Sequence, residues 1–533
     1  MLFTRQGFSF NETALFSPLF LDYLNACANA RDFYEMHISG KDFERFLKQT
    51  PFDLINREAL VNCLEKQSAM VSNTSKLSLY NISLLKDTNT YTVTTGHQLC
   101  LFTGPLYFIY KIVSTINLCE TLKFKFPENN FVPVYWMASE DHDFEEINHI
   151  HVFGKKLEWQ TDQKGAVGEM QTESLDSFLE DFRKVLGSSE NANALISLFE
   201  KAYLHHANLT DATRFLVNEL FGEYGLVTLD ANDKELKFLF RDEFKKDVFE
   251  HIPYNMVTST IEQMKKQYPI QVTPREINVF YKENGIRERI EKSAEGYRVV
   301  NTDIEFSVEE LTSLIENEPQ KLSPNVVLRP VYQQKILPNI AYVGGPGELA
   351  YWLEYKTMFD EMKVPMPILM PRNFALVLDK ASQSRLQKLN LNTSDIFREG
   401  EELVKQFIKD EHNDLNLDNF KQRIGDLYSD IAESVKTIDK TLVGSAEAEK
   451  QKAIKGIITL ELKIQKALKQ KSETDVNQIW SLKEKLFPNN IPQERYENFS
   501  TYYLKHGKDF IADLKEQLTY NLETQEYLVL KEN

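Results

Sequence analysis

Residues 131–138 read Phe-Val-Pro-Val-Tyr-Trp-Met-Ala, an unbroken apolar run that ends at Ser139 in a segment dense in acids and histidines. Eight residues suit a strand better than a core helix, and the lack of polar alternation implies burial on both faces, as in a parallel sheet covered by helices. Parallel pairing needs crossover connections, so strands and helices are expected to alternate around this run. Upstream, Tyr91 to Thr95 reads as a short strand and Gly96-His97-Gln98 as the turn after it. Thr103-Gly104-Pro105 then opens an apolar helix reaching about Lys123. These pieces make one βαβ crossover.

The pattern resumes at Asp211 to Tyr224, a helix with Phe215, Leu216, Leu220 and Phe221 on one stripe, followed by the strand Gly225 to Asp230. It resumes again at Val326 to Arg329, Ile340 to Val343 and Pro367 to Met370, short apolar runs that complete the sheet. At 533 residues the chain is too long for one ordinary core, and several units are expected. Residues 1–152 hold an N-terminal segment and the first half of an α/β nucleotide-binding-type core. An insertion at 153–191 is polar and poor in apolar periodicity, and the core continues over 192–252. A second insertion, 253–325, carries a hairpin signal at Glu283-Asn284-Gly285 and a helix capped by Ser307 with Glu310. Residues 326–380 complete the core, 381–480 form a helical arm, and 481–533 pack back on the core.

In the arm, Leu417, Phe420, Ile424, Leu427, Ile431, Ala432, Val435, Ile438 and Leu442 recur mostly by threes and fours, the seam of a coiled coil. Gly444-Ser445 is expected to break the helix, and Ala453, Ile457, Leu460, Ile464 and Ala467 repeat the spacing beyond it. An antiparallel helical hairpin follows, suited to dimer contacts or to reaching a substrate domain, with a homodimer the favoured use.

The four cysteines show no CxxC pair, no window has the apolar length of a membrane span, and Met1 to Phe10 lacks a signal-peptide pattern. A cytoplasmic protein without a membrane partner is expected. A net charge of −17 opposes a polyanion, so no nucleic-acid partner is expected either.

Ligands of open α/β sheets bind beyond the carboxyl ends of the strands, which directs attention to three loops. The first offers Gly96 for close backbone approach, His97 and Gln98 as hydrogen-bonding side chains, and Thr103-Gly104 at a helix N-terminus, an anion site by geometry and dipole. The second, Ser139 to His149, packs five carboxylates and two histidines into eleven residues. A solvated acidic helix start is the bland reading; its place at a strand end favours function. Within it, Asp141, His142 and Asp143 are candidate acid and base groups, and Glu140, Asn148 and His149 candidate binding groups. His149 and His151 could join His142 at a metal, but no thiolate pair accompanies them and no metal is expected.

The third loop, Gly344-Gly345-Pro346-Gly347-Glu348-Leu349-Ala350, matches G-x-G-x-x-A and continues into Tyr351 and Trp352. The next strand ends in Pro371-Arg372 and supplies no acid for a ribose, which disfavours a dinucleotide. An anion cradle at Gly345 and Gly347 survives, with Glu348 placed to bind an amino group. Arg329, Tyr332, Gln333 and Lys335 are expected after another core strand as phosphate or carboxylate partners.

The blocks Thr95 to Lys111, Pro133 to His149 and Leu328 to Trp352, with Leu482 to Tyr503 further on, together resemble the bacillithiol-biosynthesis cysteine ligase family, BshC, over the whole chain. The resemblance implies a Rossmann-like core of the nucleotidyltransferase type, two connective insertions and a coiled-coil arm that promotes dimerisation. It also implies a reaction joining the cysteine carboxyl group to the amine of glucosaminyl malate, with ATP or ADP the expected nucleotide. Adenylating relatives of that architecture carry H-x-G-H after the first strand; here the residues are His97-Gln98-Leu99-Cys100. On this reading His97 and Gln98 hold the activated carboxyl or phosphates. Asp141, His142 and Asp143 bind and deprotonate the amine, and Gly345, Gly347 and Glu348 seat one substrate. The alternatives are a synthetase-like protein that charges another acceptor with cysteine, and a coiled-coil scaffold whose core senses a nucleotide.

Overall fold

The structure is a computed structural model that describes every residue except 51, 53, 54, 284 and 412–416. The chain forms two compact units, one of Met1–Val377 with Pro492–Asn533 and one of Leu378–Ile491.

In the first unit the elements that build the site are β1 (Thr90–His97), α1 (Tyr107–Lys125), β2 (Asn130–Met137), α2 (Leu209–Phe221) and β3 (Val227–Asp230). They are followed by α3 (Arg329–Ile336), β4 (Asn339–Gly344), α4 (Pro346–Leu353) and β5 (Ile368–Pro371). The five strands are parallel in the order β5-β4-β1-β2-β3. The chain runs outward from β1 through β3, then returns to the other side of β1 with β4. That reversal opens a crevice between the carboxyl ends of β1 and β4.

Every residue of β1 is buried, including four threonines whose hydroxyls must find partners. Thr92 and Thr94 donate to Asn339 Oδ1 at 3.2 and 2.7 Å, Asn339 Nδ2 donates to Gln334 Oε1 at 2.7 Å, and Thr95 donates to the Val343 carbonyl at 2.8 Å. These bonds tie β1 to β4 through side chains as well as through the ladder.

Three expectations change. The segment 153–191 is not poor in periodicity: helix Asp176–Leu186 buries Phe178, Leu179, Phe182 and Leu186 in one cluster with Phe102 and Tyr135 of the core. Polar residues between these positions disguised a helical stripe. Val326 to Arg329 is not a strand. Asn325 Oδ1 accepts from the amides of Val327 and Leu328 at 2.8 and 3.2 Å, and Arg329 opens α3 with Pro330 in its first turn. Tyr332, Gln333 and Lys335 therefore sit on a helix rather than in a loop. In the second insertion Val279–Glu283 and Ile286–Lys292 pair antiparallel, and Ser307 with Glu310 completes a capping box. Gly285 has φ +77°, and Asn284 lies outside the described residues.

In the second unit, α5 (Asp418–Lys436) and α6 (Leu442–Lys471) run antiparallel, with Lys421 Nζ 2.6 Å from Glu461 Oε2 and 3.3 Å separating Lys450 Nζ from Ser429 Oγ. The 30 residues of α6 span about 45 Å. The turn falls at 437–441, ahead of Gly444-Ser445. There Asp439 Oδ1 accepts from the Thr441 amide at 2.9 Å and from its hydroxyl at 2.8 Å, and the glycine rides inside the first turns of α6.

Candidate active site

The first and third loops meet at the crevice. Gly96 and His97 end β1 itself instead of forming a turn beyond it, and Gly344 ends β4 beside them. A Cβ on Gly96 would lie 3.3 Å from Tyr342 Oη and 3.8 Å from Arg329 Nη1, so the glycine leaves room that a side chain would fill. Lys111, on the second turn of α1, donates to the Gly96 carbonyl and pairs with Glu348 at 2.8 and 2.9 Å. Tyr342 Oη donates to Glu348 Oε1 at 2.7 Å and the Gly345 amide to Oε2 at 2.8 Å. Burial acts to raise the Glu348 carboxyl, but Lys111, the Gly345 amide and Tyr342 together hold it below the usual carboxylate value. Glu348, expected to bind a substrate amine, spends both oxygens on the protein and is a structural tie between the loops. Gly347 faces open space, and Tyr351 follows it on α4 with its phenol pushed up to about 12 by burial.

Around this tie stand buried nitrogen atoms without a hydrogen-bond partner among the described residues: Arg329 Nη2, Gln333 Nε2, Trp352 Nε1, Arg372 Nε and His97 Nε2. Arg329 is walled by aromatics, its guanidinium carbon 5.6, 5.7 and 5.8 Å from the rings of Trp136, Tyr342 and Trp352, and its Nη1 donates to Gln333 Oε1 at 3.0 Å. That bond turns the Gln333 amide so that its NH2 is the free end. Arg372 holds the fully buried Glu494 with two bonds of 2.9 and 2.7 Å, and its Nε lies 3.8 Å from where a Cβ on Gly345 would be. Four of the five atoms are obligate donors, the pattern of a site for oxygen anions.

His97 differs. Burial, reinforced by the nearby Lys111 charge, pushes its pKa down to about 3, so the ring is neutral. Its Nδ1 lies 3.1 Å from the Gln98 carbonyl, where it must donate, which leaves a lone pair on Nε2. The expected role of donating to phosphate or carboxyl oxygens is therefore opposed by the tautomer.

The second loop reaches the first through Gln98, whose Nε2 donates to Asp141 Oδ2 at 2.8 Å and to Glu146 Oε2 at 2.7 Å. The other residues of this loop divide. Glu140 pairs at 2.7 Å with the fully buried Lys237, and Asp143 caps the short helix Phe144–Ile147. Asn148 is buried and accepts the Trp159 amide at its carbonyl, and its Oδ1 lies 3.0 Å from His149 Nδ1. Burial lowers His149, and His151 falls to about 4 for the same reason with His149 beside it. His142 turns toward the second insertion, where Arg287 Nη1 lies 2.5 Å from its Nδ1. Arginine can only donate, so His142 Nδ1 accepts this bond. Among the described residues no group of three His, Cys, Asp or Glu side chains could hold a metal ion.

Thr103 and Gly104 do not open onto the crevice as an anion site. Asn498 Nδ2 donates to the Phe102 and Gly104 carbonyls at 2.8 and 2.6 Å, and the Leu106 amide donates to the Glu497 carbonyl at 2.8 Å. The C-terminal segment occupies that helix start.

Lys111, Trp136, Tyr342, Arg372, Glu494 and Arg287 were not among the expected site residues. Lys111 carried a readable signal, a cation in the apolar first half of its helix with no acid three or four residues away. Arg372 was visible only as the absence of a ribose acid.

Sequence comparison adds a family. The profile "Bacillithiol biosynthesis BshC, N-terminal Rossmann-like domain" matches residues 5–373, and "Bacillithiol biosynthesis BshC, C-terminal coiled-coil domain" matches 375–531. The chain is 44% identical to the "Putative cysteine ligase BshC" of Flavobacterium johnsoniae over 96% of this chain and 97% of that one. It is 36% identical to the protein of the same description from Cytophaga hutchinsonii, over 98% of each chain. For Lysinibacillus sphaericus the identity is 28%, over 95% of this chain and 97% of that one.

Proposed function

The chain belongs to the BshC family of bacillithiol biosynthesis, and on that footing we propose that it is a ligase joining the cysteine carboxyl group to the amine of glucosaminyl malate. The observation that carries this reading is the pairing of buried, unpartnered donors on one side of the β1/β4 crevice with a carboxylate-bearing loop on the other. The first side suits anionic oxygens and the second suits an ammonium group that must lose a proton.

In this reading Arg329, Gln333 and Trp352 hold the oxygens of the acid, Gly96 lets the substrate approach the backbone, and the aromatic walls around Arg329 exclude water. Desolvation strengthens these bonds and aims positive charge at the oxygen where negative charge develops. Gln98 orients Asp141 and Glu146, and Asp141 accepts the proton that the amine loses on attack. His142 is the weaker candidate base, because Arg287 occupies its lone pair. His97 Nε2 accepts a hydrogen bond from the cysteine thiol or ammonium. An unactivated carboxyl group does not form an amide at a useful rate, and ATP would supply the activation. The donors of the crevice fit phosphate oxygens as they fit carboxylate oxygens.

No helix among the described residues is long and apolar enough to cross a membrane, and we place the protein in the cytoplasm. We also propose a homodimer through the arm, where Phe420, Leu427, Ile431, Leu460 and Leu462 remain exposed on the two helices.

Incubating the purified protein with cysteine, glucosaminyl malate and ATP, with mass spectrometry of the products, tests the reaction. The expected result is an amide carrying one cysteine; recovery of both substrates unchanged with every nucleoside triphosphate would count against it.

A further inference from the structure

A concavity among the described residues lies apart from the residues assigned so far. It lies at the carboxyl end of the edge strand β3, encloses about 680 Å³, and is bounded by the loop after β3, the start of α2, the segment at Gly168 and Gln320. Its wall is continuous with the second loop through Ser139, which donates from Oγ to Asp230 Oδ1 at 2.5 Å and accepts the Gly168 amide at its carbonyl at 2.8 Å.

Four lysine or arginine side chains and four carboxylates line this cavity, and one pair of them, Lys282 and Glu169, is already joined at 2.5 Å. Formal charge cancels, so neither a strong anion nor a strong cation is selected. The unsatisfied atoms say more. Arg214 is 1% exposed and donates from Nη1 to the Thr228 hydroxyl and carbonyl at 3.0 and 3.1 Å, yet its Nε–H has no partner among the described residues. Gln320 Oε1, on the opposite bank, is likewise buried without one. One of these atoms can only donate and the other can only accept. A carboxylate or phosphate would satisfy the arginine alone and an ammonium the glutamine alone, whereas hydroxyl groups satisfy both. Three amide side chains, Gln67, Gln171 and Asn208, stand among the charged groups of the lining, and Gln67 and Asn208 are held in place by Asp230 and Asp211.

We propose that this cavity binds a polyhydroxylated ligand, the sugar ring of the amine-bearing acceptor, with its amine directed along Ser139 toward Asp141. The identity of that sugar rests on the ligase reading; the preference for hydroxyls rests on Arg214 and Gln320.

The test is calorimetry and saturation-transfer NMR on the full chain with methyl α-D-glucosaminide and methyl α-D-glucoside, for the natural protein and for Gln320→Leu and Arg214→Lys. Both glycosides are expected to bind, and Gln320→Leu to weaken each about tenfold, as the loss of one buried neutral hydrogen bond does. The KM for the acceptor should rise with it while the KM for cysteine stays constant. Gln320 lies on a short surface turn, so this variant carries the test if Arg214→Lys fails to fold. No glycoside binding by the natural protein, or binding and acceptor KM unmoved by Gln320→Leu, overturns the proposal. Glycoside binding that Gln320→Leu weakens, with no cysteine amide formed, would keep the sugar site and remove the ligase.

Discussion

Lys111 Nζ and Glu348 Oε1, 2.8 Å apart, join the helix that follows β1 to the helix that follows β4, across the crevice between those strands. The lysine is 3% exposed and the glutamate 24%, so the ammonium is held away from water while the carboxylate keeps one edge at the surface. Replacing Lys111 by Met would leave a carboxylate without its counter-charge, at a cost of about 3–5 kcal/mol. Adding Glu348→Gln should recover much of that loss. Urea denaturation of the single and double variants checks this; strictly additive losses would show that the two residues are not coupled.

Arg329 presents the opposite case, a mostly buried cation walled by aromatic rings with one nitrogen unsatisfied. Arg329→Met should leave thermal stability unchanged or higher while lowering ligation more than a hundredfold, the usual exchange of stability for function at a binding site. Differential scanning calorimetry beside a product assay reads both. A large fall in melting temperature would assign Arg329 to the scaffold.

His97 predicts a pH dependence. Its folded pKa of about 3 lies below the ordinary value of 6.5, so the unfolded chain takes up a proton there that the folded chain refuses. Stability from this group is fully present above pH 6.5 and is lost as pH falls from 6.5 toward 3. The variant His97→Asn should flatten the stability curve in that window by about one proton. An unchanged acid slope, measured by chemical denaturation from pH 4 to 7, would contradict the buried neutral ring.

Asn498 satisfies two carbonyls ahead of α1 from the far end of the chain. Asn498→Ala leaves both buried acceptors unmet and should cost about 1–3 kcal/mol. Hydrogen exchange should then quicken at the first turns of α1 before it quickens in β2, and uniform exchange would sink the local account.

The arm offers a simpler test. Leu427→Glu with Leu462→Glu, both on exposed apolar positions, should convert a dimer to a monomer in sedimentation equilibrium without loss of helicity. A natural protein that sediments as a monomer refutes the dimer.

Much of the core was legible because parallel strands announce themselves as unbroken apolar runs, as residues 131–138 do. The meeting of the loops at Gly96 and Gly344 follows from strand order, and the reversal after β3 makes it so. What escaped had causes that act at long range. Glu348 looked available because its partner Lys111 lies 237 positions away, and Thr103 looked open because Asn498 closes it from nearly 400 residues downstream. Arg329 was placed after a strand because Val326 to Leu328 is apolar, whereas Asn325 turns those residues into the start of a helix. The helix at Asp176–Leu186 was hidden by its polar face, and the turn of the arm was drawn to a glycine that a helix tolerates when it lies near an end.

The hydroxyl ladder of Thr92 and Thr94 on Asn339 has a consequence for how such a site can change over time. Neighbouring parallel strands are free to slide by two residues without exposing their apolar faces, a displacement of about 7 Å that would carry one loop past the other. Only one alignment gives a single amide oxygen both threonine hydroxyls, so the polar atoms in the sheet act as an address for the crevice above. Residues that line the crevice can then be exchanged one by one, and the chemistry retuned, while the gap between the loops keeps its width.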